Sequence, residues 1–126
     1  MEKSWLEATQ AGDCEVVAVL LDAGADINAL DRYGQTALIN ATYQGDIELV
    51  KLLVAKGAEL NHTAKYNLTA LMLAVINNHA EIVRVLVAAG ANAQIEGSRG
   101  TFACTPLEYA IKNGNDAIAQ ILRENA

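Results

Sequence analysis

Proline occurs once in the 126 residues, phenylalanine once, tryptophan once, and cysteine and histidine twice each. So few aromatics, without alternating β-branched runs, leave little to build a sheet from. The abundance of Ala, Leu, Val and Ile points instead to helix. Two cysteines, Cys14 and Cys104, far apart in sequence, make no disulfide framework and fit a reducing, cytoplasmic setting. No apolar run approaches the roughly 20 residues that a membrane-spanning helix needs. The opening "MEKSWLEATQAGD" lacks a basic stretch leading into an apolar one, so no signal peptide is evident. The triplets "NAT", "NHT" and "NLT" at Asn40, Asn61 and Asn67 are therefore read as turn and cap residues, with no glycosylation implied.

Positive charge is also scarce. The formal net charge is −6, and residues 1–30 alone carry six acids against one base. With no Lys/Arg run to neutralise phosphates, neither nucleic acid nor an anionic membrane is an expected partner.

What the chain has in plenty is itself. "GADIN" at Gly24–Asn28 returns as "GAELN" at Gly57–Asn61 and as "GANAQ" at Gly90–Gln94, 33 residues apart each time. In that register Thr36, Thr69 and Thr105 coincide, as do Ala8, Ala41, Ala74 and Ala110. Val17, Val50, Val83 and Ala119 share a position, and so do Leu20, Leu53, Leu86 and Leu122. The last step is 36 residues, which places three inserted residues between Gln94 and Thr105. Four units, approximately 1–30, 31–63, 64–97 and 98–126, account for the chain as a single domain.

Each unit reads as two short helices. The threonines are N-cap types and Pro106 sits at N1, where its missing N–H costs nothing. Gly45, Asn78 and Gly114 close the first helices. "IELVKLLVAKG" and "AEIVRVLVAAG" carry helical apolar spacing in the second. Glu48 with Lys51 and Glu81 with Arg84 are i,i+3 pairs on the wet face. Gly24, Gly57 and Gly90 then end the second helices where positive φ is needed. The pentapeptide is a joint with no chemistry of its own.

The pattern D-x-x-G-x-T-x-L-x-x-A followed by G-x-x-x-x-V-x-x-L-L-x-x-G-A-x-x-N, fullest from Asp31 to Asn61, resembles the ankyrin repeat, whose period is also 33. The resemblance implies an all-α solenoid of four helix-turn-helix units with β-turn fingers. It departs from the family where T-P-L-H becomes "TALI", "TALM" and "TPLE". Ala64 and Asn67 replace Asp31 and Gly34 in the third finger, which is expected to be looser. Trp5, in the slot of Leu38, and the polar Asp116 read as end-capping residues, so both ends are expected to be finished and the chain complete.

The search for chemistry yields little. His62, in a finger, is expected to be solvated, and His79 to serve hydrogen bonding at the start of a helix. Neither has ligands at metal spacing. Acids beside Cys14 oppose thiolate formation. "GSRG" at Gly97–Gly100 lacks the lysine and spacing of a phosphate loop. No carboxylate pair is placed for acid/base work. Catalytic residues, metals and cofactors are expected to be none.

By resemblance, fingers and first helices form a concave face that binds another protein. That face takes Arg32, Tyr33, Gln35, Tyr43 and Gln44 from the second unit, and Lys65, Tyr66, Leu68, Ile76 and Asn77 from the third. The fourth supplies Lys112 and Asn113, with Arg99 and Phe102 from its lengthened finger, and Gln10 stands in the first; Phe102 reads either as an exposed anchor beside Arg99 or as a residue that closes the end of the core. Tyrosine supports this, being a rigid amphipathic ring enriched at hot spots. The expected function is a monomeric, non-catalytic scaffold, adaptor or inhibitor binding an unidentified protein. Two alternatives stand beside it: a passive or self-associating structural module, and an enzyme or metal protein using Cys104 and His62.

Overall fold

The computed structural model describes residues 4–125. The outermost ends of the expected 1–126 domain, residues 1–3 and 126, lie outside the described residues. Eight helices run in pairs: α1 (Trp5–Ala11) with α2 (Cys14–Asp22), α3 (Ala37–Gln44) with α4 (Ile47–Ala55), α5 (Ala70–Ile76) with α6 (Ala80–Ala88), and α7 (Pro106–Lys112) with α8 (Asp116–Glu124). Among the described residues there is no strand, only one isolated bridge between Ala64 and Leu68.

The caps explain where each helix starts. Side chains of Thr36, Thr69 and Thr105 accept the N–H of the residue three positions on, and Asp13, Asp46 and Asn115 do the same for three of the second helices. In the first unit the cap falls on Ser4, whose reciprocal pair with Glu7 completes a capping box. His79 departs from expectation: it holds the cap position of α6 but makes no side-chain cap bond.

The pentapeptide works as expected. Gly24 N–H donates to the Leu21 carbonyl and Ala25 N–H to that of Leu20, and the 57–58 and 90–91 pairs repeat the motif. Gly24, Gly57 and Gly90 lie at φ 101°, 88° and 96°.

First helices stack on first helices and second on second, each pair closing across the core. The alignment columns are the core: Ala8, Ala41, Ala74 and Ala110, then Val17, Val50, Val83 and Ala119, are all fully buried. A small residue at the alanine column lets two helices approach closely.

The two ends differ. The outward face of α8 presents Asp116, Gln120, Arg123 and Glu124. At the opposite end Trp5 is half-buried on the core, yet Leu6 and Val19 are 45% and 65% exposed. These two apolar side chains stand open at this end of the described residues. Their equivalents one repeat on, Ile39 and Leu52, are covered by packing. On the wet face Arg84 Nε and Glu81 Oε1 are 3.5 Å apart, while Glu48 and Lys51 form no such pair among the described residues.

Candidate functional site

The second finger is built around one carboxylate. Asp31 accepts the backbone N–H of Tyr33 at 2.8 Å, that of Gln35 at 3.0 Å and the Asn40 amide at 3.0 Å. Gly34, at φ 74°, closes the turn. Burial alone raises the Asp31 pKa. The Asn40 amide, the two backbone donors and the charge of Arg32 together outweigh it and hold the carboxyl below its usual range. The turn thrusts Arg32 and Tyr33 to the tip. Tyr33 is 74% exposed, with the Arg32 guanidinium 5.9 Å from its ring centre.

The third finger is not looser, contrary to expectation. Tyr66 and Asn67 themselves take positive φ, 64° and 59°, and the Ala64 N–H closes the finger onto the Leu68 carbonyl at 2.8 Å. It is tied to the fourth finger by Ser98 N–H on the Tyr66 carbonyl, 2.7 Å, and by the Asn67 amide on the Glu96 carbonyl, 2.9 Å. The half-buried Tyr66 ring has Lys65 Nζ at 5.1 Å and the Arg99 guanidinium at 5.7 Å.

Two expected contact residues are less open than the fingertips. Leu68 is only 7% exposed and belongs to the core, because the finger folds back over it. Phe102 is half-buried, its ring 5.9 Å from that of Tyr109, and its carbonyl fills the space a Cβ on Gly97 would need. It packs against the end of the core, in line with the second of its two readings.

The first helices supply the rest. Tyr43 is 64% exposed, and Gln44, Lys112, Asn113 and Gln10 are exposed. Gln35, Ile76 and Asn77 are half-buried, and the Asn77 amide reaches the Tyr43 carbonyl at 3.4 Å. Tyr109 was absent from the expected set, yet it lines a cleft of about 240 Å³ between α5 and α7 with Ile76, Asn78, Asn113 and Asn115. It occupies the register position of Asn40 and Leu73, and its tyrosine character was the available signal.

Residues weighed for chemistry are engaged structurally. His62 Nε2 lies 3.0 Å from the Gly34 carbonyl, so its N–H donates there and bridges to the second finger; it is half-buried, against the expectation of a solvated ring. Burial is the largest influence raising the Cys14 thiol pKa, with Asp46, Glu48 and Asp13 adding to it. Burial likewise raises that of Cys104, whose thiol donates to the Thr101 carbonyl at 3.5 Å. The structure does not bring Cys104 and His62 into one constellation. No group of three His, Cys, Asp or Glu side chains converges for a metal among the described residues. No described helix is long and apolar enough to cross a membrane.

A family model described as ankyrin repeats in three copies matches residues 5–97 and, overlapping, 69–126. No curated protein is a significant match.

Proposed function

The chain belongs to the ankyrin-repeat family, and we propose that its finger and first-helix surface is the binding site for a partner protein. Ankyrin repeats are in general protein-interaction modules. We read the chain as one domain of four such units, monomeric and non-catalytic, acting as scaffold, adaptor or inhibitor. Free cysteines, one of them buried, favour a reducing cytoplasmic compartment.

The observation that carries the reading is the pair Tyr33 and Tyr43. Both rings stand largely bare on elements whose backbones are fixed, Tyr33 by the Asp31 turn and Tyr43 on capped α3. A large ring held ready for contact loses little entropy on binding. Four stacked units also span enough surface for an interface of about 800 Å² per partner.

The test is affinity capture from native lysate with wild type beside Tyr33→Ala/Tyr43→Ala, both shown to be folded. A protein retained by wild type and released by the variant is the expected result. Equal retention by both would remove these tyrosines from the site.

A further inference from the structure

Charge on this protein is segregated by face. The second helices, with their N-cap residues and the turns that follow them, carry ten acids against four bases. Among the described residues the fingers and first helices carry four of each, but those acids are largely turned to internal work. Asp31 is occupied by its own turn, and Glu7 and Glu108 accept from the backbone N–H of their own N-cap residues. The cations are different. Arg32, Lys65 and Arg99 stand at the tips of three consecutive fingers, all exposed, and none joins a salt bridge among the described residues. Each lies against a tyrosine ring, at 5.9, 5.1 and 5.7 Å respectively.

The three tips are also mutually fixed. His62 links the segment before the third finger to the second through the Gly34 carbonyl, and Ser98 and Asn67 link the fourth to the third. The result is a short, rigid row of cations and aromatic faces on a protein whose net charge is −6. No run of basic residues foretells it, because its members are about one repeat apart in sequence.

We propose that this fingertip row binds an acidic segment of a partner protein, laid across the fingers in extended form. The inference rests on the reading of this surface as the protein-binding one. Stacked helices pack about 8–10 Å apart, and a polyproline II chain advances about 3.1 Å per residue with three residues per turn. Carboxylates at every third position therefore lie on one face of such a chain, about 9 Å apart, and meet successive fingertips. Nucleic acid fits less well. Three cations neutralise few charges of a polymer that carries one every ~1.7 Å as duplex, and the acidic remainder of the protein repels its flanks.

The experiment is an amide NMR titration with a synthetic peptide bearing Glu at every third position. The same peptide with Gln for Glu, and a single-stranded oligonucleotide of equal charge, serve as comparisons. Shifts at residues 32–33, 65–66 and 98–99 are expected for the Glu peptide alone. Affinity is expected to fall about tenfold in Arg32→Gln/Lys65→Gln/Arg99→Gln, and to weaken between about 50 and about 300 mM salt. Arg32→Gln alone guards against misfolding, since the exposed Arg32 side chain joins no hydrogen bond or salt bridge among the described residues and lies on the neighbouring Tyr33 ring, and a loss of about threefold is expected. Equal binding of the Gln peptide, shifts away from the fingers, or no shifts overturns the proposal. Tighter binding of the oligonucleotide overturns it in favour of nucleic acid. If lysate capture still depends on Tyr33 and Tyr43 while the Glu peptide leaves the fingers unshifted, the acidic-segment inference fails and the protein-binding reading stands.

Discussion

The imidazole of His79 occupies the space that a side chain on Gly45 would need: a Cβ built there would lie 2.7 Å from Cε1 and 3.0 Å from Nε2. One repeat earlier the carboxylate of Asp46 stands over Gly12 in the same way, 2.5 Å from the equivalent point. The residue that starts each of these second helices thus rests on the glycine that ends the first helix of the preceding unit. Gly45 answers two demands at once, positive φ of 76° and the absence of a side chain.

Gly114 allows the two demands to be separated. It has φ 69° but nothing within 4 Å of a built Cβ. Gly114→Ala is expected to cost about 1–2 kcal/mol of backbone strain, and Gly45→Ala about 1 kcal/mol or more beyond that from collision with the ring. Urea denaturation measures both, and adding His79→Ala is expected to recover the excess. Equal losses at the two glycines would sink the packing account.

Thr42 carries a buried cost. Its side chain is fully buried in the first-helix stack, and its hydroxyl has no hydrogen-bond partner among the described residues. Thr9, one unit earlier, donates back to the Trp5 carbonyl at 2.9 Å, and the third unit has Val75. Thr42→Val is expected to stabilise by about 1 kcal/mol, seen as a higher denaturation midpoint at unchanged m-value. A destabilised variant would show that the hydroxyl is satisfied in solution.

Asn28 and Asn61 staple neighbouring repeats. The Asn28 side-chain oxygen accepts the Glu59 N–H at 2.8 Å, and that of Asn61 accepts the Asn92 N–H at 2.8 Å. Alanine at either position is expected to cost about 1 kcal/mol. The two losses should add in the double variant, since the sites share no partner. Neutral substitutions in thermal melts would refute the stapling role.

Asp31 makes the second finger pH-sensitive. Its folded pKa is depressed, so its contribution is present above the ordinary aspartate range and is lost as pH falls through the lower folded value. Asp31→Ala is expected to lose about 1–3 kcal/mol at neutral pH, with the gap from wild type closing in strong acid. A gap that stays constant from neutral pH to about pH 2, well below the ordinary value near 3.9, contradicts this account.

Much of the architecture was legible in sequence because each unit's helices are specified locally. Threonine caps, left-handed glycines and the apolar columns all act within about twenty residues of themselves. The errors arose between units. Alignment places Leu68 beside the exposed finger residues, but the finger folds over it. Phe102 reads two ways in sequence, as anchor or as core, and its packing against Tyr109 favours the core. His62 reads as solvated because its acceptor, the Gly34 carbonyl, is 28 positions away. The third finger reads as loose because its own Asp and Gly are missing, while the bonds that secure it come from Glu96 and Ser98.

The helix pairs, their joints and the alanine and valine columns follow from the residue order alone, since caps, φ preferences and helical periodicity are short-range and repeat with the chain. Which tyrosines stand bare, which end of the stack exposes Val19, and the alignment of Arg32, Lys65 and Arg99 in one row emerge from the folded arrangement. Those outcomes depend on burial and hydrogen bonding between residues about one repeat or more apart. Stacking creates such proximity, and no local preference encodes it.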